Sequence, residues 1–238
     1  MIPKIIHYCW FGRKPLPKMA LKCIASWRKF FPDYEIKEWN EDNFDVNMIQ
    51  YTKDAYAAKK YAFVSDYARF WILYHYGGVY FDTDVEVIRP MDDIIEKGAF
   101  MGVEVPSRKL CMPKIAPGLG LGVTPGHDLY KNIIDRYSTL GFINEDGSFN
   151  LTTVVSYTTA ILVDKGLSDF DEIQNVEGIW IYPWDFFNPL DSLTGRVLIT
   201  NNTRSIHWYM NSWNNSSKIY VYFSRLYHRV FGISTFGN

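Results

Sequence analysis

The run Tyr80-Phe81-Asp82-Thr83-Asp84-Val85-Glu86 carries the densest chemistry in the chain. Read as a strand, it places Tyr80, Asp82, Asp84 and Glu86 on one side and Val79, Phe81, Thr83, Val85 and Val87 on the other. Three carboxylates on one face of an apolar strand repel one another and lose hydration. A divalent cation with oxygen ligands would offset both costs. The alternative is a strand end entering water, with the acids simply solvated. Upstream, Asp66 and Arg69 stand at i and i+3 in an otherwise apolar segment, Ala62-Phe63-Val64-Ser65-Asp66-Tyr67-Ala68-Arg69, followed directly by Phe70-Trp71. A helical Asp–Arg pair in water contributes little. Partly buried beside an acidic strand, it makes a clamp for hydroxyls and phosphate.

A frame must bring those residues together. Residues 4–10 read as a buried strand, closed by Gly12 and by Pro15 and Pro17, and Lys18–Phe30 has helical periodicity. Residues 34–39 alternate as a strand. Residues 55–76 predict one long apolar helix, stopped by Gly77-Gly78. Residues 79–88 predict the strongest strand, ended by Pro90. A short helix over Asp92–Lys97 and a strand over Phe100–Val105 follow, then a Gly- and Pro-rich loop over 106–126. Helices are expected over 128–140 and 152–165, and short strands over 173–176, Ile179–Tyr182 and 197–199. Alternating strands and helices predict an α/β fold with a mostly parallel central sheet covered on both faces.

The combination Ser65-Asp66-x-x-Arg69 and Gly77-Gly78-Val79-Tyr80-x-Asp82-x-Asp84 resembles the signature of the DXD-containing sugar-transferases, of the Och1-like and capsular-polysaccharide type. The glucosylating clostridial toxins share that arrangement. The opening Ile2-Pro3-Lys4-Ile5-Ile6-His7-Tyr8-Cys9-Trp10-Phe11-Gly12 is similar to the first strand of those families. The resemblance implies a GT-A-type, Rossmann-like single domain over residues 1–215, with a nucleotide-sugar half at about 1–105 and helical acceptor-side additions over 106–215. It implies that Cys9, Trp10 and Phe11 hold the nucleotide base, with Trp10 stacking on it. Asp66 and Arg69 would grip the donor sugar and diphosphate, and Tyr80 would touch the phosphates. Asp82 would contact the ribose and the metal's water, and Asp84 would bind the metal directly. Late in the chain, His207 matches the remaining metal ligand, with Asn214 and Asn215 as competitors, and Ser212 and Trp213 match a lid over the diphosphate. The implied activity is metal-dependent and retaining: a hexose or N-acetylhexosamine moves from a UDP-sugar, with Mn²⁺ or Mg²⁺, to a glycan acceptor that is lipid-linked, as in capsular, exopolysaccharide or O-antigen synthesis. Asp185 and Asp191 are further candidates for acceptor contacts, and the 184–189 stretch for the lining around them.

Composition sets the outer bounds. The chain has 238 residues, 47% hydrophobic and 21% charged, which suits a packed globular domain and excludes disorder. Aromatics reach 17%, which favours ring-lined pockets or contact with sugar or lipid. No eighteen-residue apolar run is present, and the N-terminus turns polar too soon for a signal peptide. Cys9, Cys23 and Cys111 form neither a CxxC pair nor an even framework, so a reduced, cytoplasmic setting is expected. Without a secretion route, the sequons at Asn150 and Asn201 mean little.

The net charge of −1 hides an asymmetry. Residues 1–32 carry seven bases and no acid, residues 216–238 carry Lys218, Arg225 and Arg229 and no acid, and all 26 acids face 15 bases in between. An anionic ligand or surface at the ends is therefore expected. In the tail, Ile219, Phe223, Leu226 and Val230 form an apolar stripe beside the bases when laid on a helix. That pattern fits a peripheral helix at the inner face of a membrane, or equally a terminal helix packed on the core.

Three other classes compete for these residues. A haloacid-dehalogenase-like phosphatase also ends a hydrophobic strand in Asp-x-Asp, but needs a Gly-Thr pair soon after, where this chain has Val85-Glu86-Val87. A non-catalytic sugar-binding subunit would explain the aromatics but not Asp66, Arg69, Asp82 and Asp84 together. Nucleic-acid binding would need a basic stripe, which the acidic centre opposes.

Overall fold

The computed structural model describes residues 1–105, 113–168 and 172–210, together with residue 227. The strands are β1 (Ile5–Cys9), β2 (Glu35–Trp39), β3 (Gly78–Tyr80), β4 (Val85–Val87), β5 (Phe100–Val105), β6 (Lys114–Ile115), β7 (Leu121–Val123), β8 (Gln174–Val176), β9 (Ile179–Tyr182) and β10 (Ser205–His207). The helices are α1 (Lys18–Phe30), α2 (Gln50–Ala57), α3 (Tyr61–Tyr76), α4 (Asp92–Lys97), α5 (Asp128–Ser138), α6 (Val154–Asp164) and α7 (Trp184–Phe187).

The main sheet runs β2-β1-β3-β7-β5-β9-β8, with β6 paired to β5. Parallel pairing joins β2, β1 and β3, and also β5 and β9, while β7, β8 and β6 run against their neighbours. Five strands thus share one direction, in a sheet that is mixed. Each face buries its own core. One holds Tyr80, Met101, Leu121 and Ile181 with α2, α3, α5 and α6. The other holds Ile6, Val79, Phe81 and Phe100 with α1, α4 and α7. α1 shows why the sequence folds this way: Ala20, Cys23, Ile24 and Trp27 recur at helical spacing and are its buried residues. The Trp27 indole N–H then donates to the Val85 carbonyl (2.8 Å), tying α1 to the strand just after the Asp-Thr-Asp segment.

Several expectations need correction. The single helix over 55–76 is two, because Lys59 adopts a left-handed φ of 57° and the chain turns there without a Gly or Pro. The long strand over 79–88 is also two, and they lie in different sheets. The Asp82 N–H donates to the Gly118 carbonyl, and the Val85 N–H donates to the Asp82 carbonyl, which folds 82–85 into a turn. Asp82 and Asp84 are therefore not one face of a strand. The loop over 106–126 contains β6 and β7 among its described residues, and β7 sits between β3 and β5 in the main sheet. Its glycine is a packing requirement, since a Cβ on Gly122 would collide with the Phe100 ring. Over 197–199 there is only an isolated bridge between Leu190 and Val197. No described helix is long and apolar enough to cross a membrane. Residues 216–238, where the basic tail was expected, lie outside the described part apart from residue 227.

Candidate active site

The turn bearing Asp82 and Asp84 leaves the carboxyl end of β3, beside the carboxyl ends of β1 and β2. In open α/β sheets this edge is where ligands bind. β4 starts immediately after the turn, and β10 pairs with it antiparallel in the register His207↔Val85. That register carries His207, some 120 residues downstream, to the side of Asp84. One carboxylate oxygen each from Asp82 and Asp84 and one ring nitrogen of His207 lie within 4.8 Å of one another.

Asp82 is held from three directions. Arg69 Nη2 lies 3.3 Å from its Oδ1, Arg69 Nη1 lies 3.5 Å from its Oδ2, and the Tyr80 hydroxyl donates to Oδ1 (3.1 Å). Gly118 closes the third side, where a Cβ would collide with Oδ2. The same guanidinium binds Asp66 (2.8 Å) and sits 5.0 Å from the centre of the Tyr80 ring. Asp66 and Arg69 are both buried, so the pair is no solvated surface contact. Burial pushes the Asp66 carboxyl up to about 6, against the pull of Arg69.

Asp84 is satisfied differently. Its Oδ1 lies 3.0 Å from His207 Nε2, its Oδ2 accepts the Met210 N–H (2.8 Å), and its carbonyl accepts the Trp208 N–H (3.0 Å). Burial alone would raise the Asp84 carboxyl, but the His207 charge and these hydrogen bonds outweigh it and hold it low. Burial likewise works against a charged His207, and Asp84 overrides it, raising the imidazole above its ordinary value. His207 Nδ1 is buried with no hydrogen-bond partner among the described residues. Two carboxylates and an imidazole whose Nε2 meets one of them fit a divalent cation once the ring gives up its proton, and the mixed oxygen and imidazole set suits Mn²⁺ better than the oxygen-preferring Mg²⁺.

The other expected residues fall into separate places. Cys9 and Phe11 are buried in the core, Phe11 edge-on to Phe44. Burial pushes the Cys9 thiol up to about 12, so it is a neutral neighbour of Tyr80. Trp10 alone of that trio reaches the surface. With Arg13, Lys14, Pro15, Glu38, Asn40 and Glu41 it lines a cleft of about 450 Å³. Glu86 is not with the other two acids: it accepts from Lys22 (2.9 Å) and from the Trp208 indole (2.9 Å). Asp191 caps its own loop through the N–H groups of Leu193 and Thr194, and Asp185 accepts from Thr200 and Asn202. Ser212, Trp213, Asn214 and Asn215 lie outside the described residues. Gly118, Glu104 and Tyr209 surround the site without having been singled out, and Asn188 beside them falls in the 184–189 stretch expected to line the acceptor contacts. Only the glycine-rich run 118–122 carries a trace of this in sequence.

Residues 17–101 match the family described as glycosyltransferase sugar-binding region containing DXD motif. Inositol phosphoceramide mannosyltransferase 1 of Schizosaccharomyces pombe is 31% identical over 111 residues, covering 42% of this chain. The chain spans only 33% of that relative's length. Among solved structures, PaToxG glycosyltransferase is similar with a TM-score of 0.52 and 20% identity, over 69% of this chain and 70% of that one. A glycosyltransferase involved in glycosylating the major capsid of PBCV-1 is similar with a TM-score of 0.51 and 12% identity, over 92% and 97%. At such identities the likeness concerns fold, and the fold is GT-A.

Proposed function

We propose that this chain, whose residues 17–101 match the glycosyltransferase sugar-binding region containing the DXD motif, is a metal-dependent, retaining transferase. It moves a hexose or N-acetylhexosamine from a UDP-sugar to a lipid-linked glycan acceptor. The observation that carries this reading is the convergence of Asp82, Asp84 and His207 beside the buried Asp66–Arg69 pair. Glycosyl transfer from a nucleotide sugar expels a diphosphate, whose charge must be offset as the bond breaks. Asp82, Asp84 and His207 would hold Mn²⁺, which supplies Lewis-acid neutralisation of that leaving group.

The chain's own residues do the rest. Arg69 aims the Asp82 carboxylate, and with Asp66 it binds donor hydroxyls and phosphate. Trp10, in the lining of the cleft beyond β1, offers a ring face for the base. Tyr80 works through its hydrogen bond to Asp82, since its own ring is buried. Retention follows from the resemblance to the DXD sugar-transferases. A relative named for inositol phosphoceramide supports a lipid-linked acceptor, and the basic, aromatic tail supports peripheral placement at the inner face of a membrane. Synthesis of capsular, exo- or O-antigen polysaccharide is the setting this suggests.

A donor panel tests the reading. The protein is incubated with UDP-glucose, UDP-galactose, UDP-N-acetylglucosamine, UDP-N-acetylgalactosamine and GDP-mannose in Mn²⁺, and slow donor hydrolysis is measured. One UDP-sugar should be turned over well above the others. Turnover of GDP-mannose alone would overturn the assignment of the base while leaving the transferase reading in place.

A further inference from the structure

We propose that Tyr209 is the positioning residue for His207, and that Glu104 and Asn188 hold Tyr209 in place. The inference rests on the metal reading above. Tyr209 has a backbone φ of 47°, a left-handed conformation that residues other than glycine rarely adopt. Such a conformation persists only where surrounding contacts over-determine it. Here the contacts are specific. The Tyr209 ring meets the His207 ring edge-on, with centroids 4.2 Å apart at 71°. Its hydroxyl donates to Glu104 Oε1 (3.1 Å) and accepts from Asn188 Nδ2 (2.7 Å). The Asn188 amide also donates to the Glu104 carbonyl (2.7 Å), so the three residues close a ring of hydrogen bonds.

The topology makes this ring matter. His207 belongs to β10, in the two-stranded sheet with β4, whereas Glu104 belongs to β5 in the main sheet. The flanking residues are already committed, because Trp208 and Met210 give their backbone N–H groups to Asp84. Residues 208 and 210 thus face the Asp-Thr-Asp turn, while 209 reaches back to β5. The phenol is what links the His207 end of the small sheet to the main one at the level of the site. A phenylalanine would keep the ring contact and lose that link. The orientation of a ligating imidazole depends on such outer partners, whose removal typically weakens metal binding 10- to 100-fold.

The test uses the full chain with Mn²⁺ as the probe, measured by calorimetry and by electron paramagnetic resonance. Tyr209→Phe and Glu104→Ala should each weaken Mn²⁺ binding about 10- to 100-fold, with the melting temperature nearly unchanged. Glu104→Gln, whose amide oxygen still accepts from the phenol, should bind nearly as the parent does. The double variant Tyr209→Phe/Glu104→Ala should be no weaker than either single one. Parental affinity in Tyr209→Phe overturns this inference and leaves the metal reading standing. A parent protein that binds no Mn²⁺ overturns both.

Discussion

Arg69 lies 2.8 Å from Asp66 and 3.3 Å from Asp82 through the same nitrogen, and its side chain is only 5% exposed. One cation thus serves two carboxylates, and its third partner is the Ser65 carbonyl. Removing it leaves Asp66 buried and uncompensated, and that cost exceeds the worth of the pair itself. Arg69→Met should therefore destabilise the fold by about 3 kcal/mol, read from urea midpoints. Asp66→Asn in the same chain should return part of that loss, because it deletes the stranded charge. Equal stability of Arg69→Met and the parent would show that the pair is solvated after all. These residues were legible in sequence because a lone Asp and Arg stood out in an apolar helix. Tyr209 and Glu104 were not legible, because nothing in a Tyr or a Glu announces a left-handed backbone or a partner 105 positions away.

His7 shows what the elements contribute. In the middle of β1 and fully buried, its Nδ1 accepts from the Trp39 indole (3.0 Å), which leaves Nε2 to donate to the Gly77 carbonyl (2.9 Å). The neutral ring thereby joins β1, β2 and the start of β3, the three strands whose carboxyl ends frame the site. Burial lowers the His7 imidazole from 6.5 to about 4. A depressed folded value means that the stability His7 contributes is fully present above pH 6.5 and is lost as pH falls toward 4. A 2.5-unit gap corresponds to about 3 kcal/mol. Denaturant unfolding should show this loss between pH 7 and pH 4, and His7→Gln should flatten that part of the profile. An unchanged profile would mean that His7 already titrates normally. At this scale the sequence was readable wherever apolar periodicity was strong, as in α1, β1 and β5. It misled at the Asp-Thr-Asp turn, where continuous β-branched and aromatic residues hide a turn closed by the Val85 N–H on the Asp82 carbonyl. It was silent at β7, where glycine, usually a loop signal, is what lets the Phe100 ring approach.

Along the chain, the two ends carry bases and no acid, while all 26 acids lie in the middle, which holds the candidate metal ligands. A cation is drawn to the centre, while an anionic ligand or surface is drawn to the ends. If the C-terminal bases meet a membrane, each contributes roughly 1 kcal/mol near an anionic surface. Co-sedimentation with anionic liposomes should then fall sharply when residues 217–238 are deleted, and should weaken in high salt. A truncated protein that stays fully bound would assign the tail to the core instead. The account stands or falls on the centre, where one ligand can be removed cleanly. With its best UDP-sugar, the parent should hydrolyse donor in Mn²⁺ and stop in excess EDTA. Asp84→Ala should lose about 10³-fold in rate, roughly 4 kcal/mol, while its melting temperature stays within a few degrees of the parent. Full turnover in excess EDTA, or an Asp84→Ala protein as active as the parent, would contradict the account.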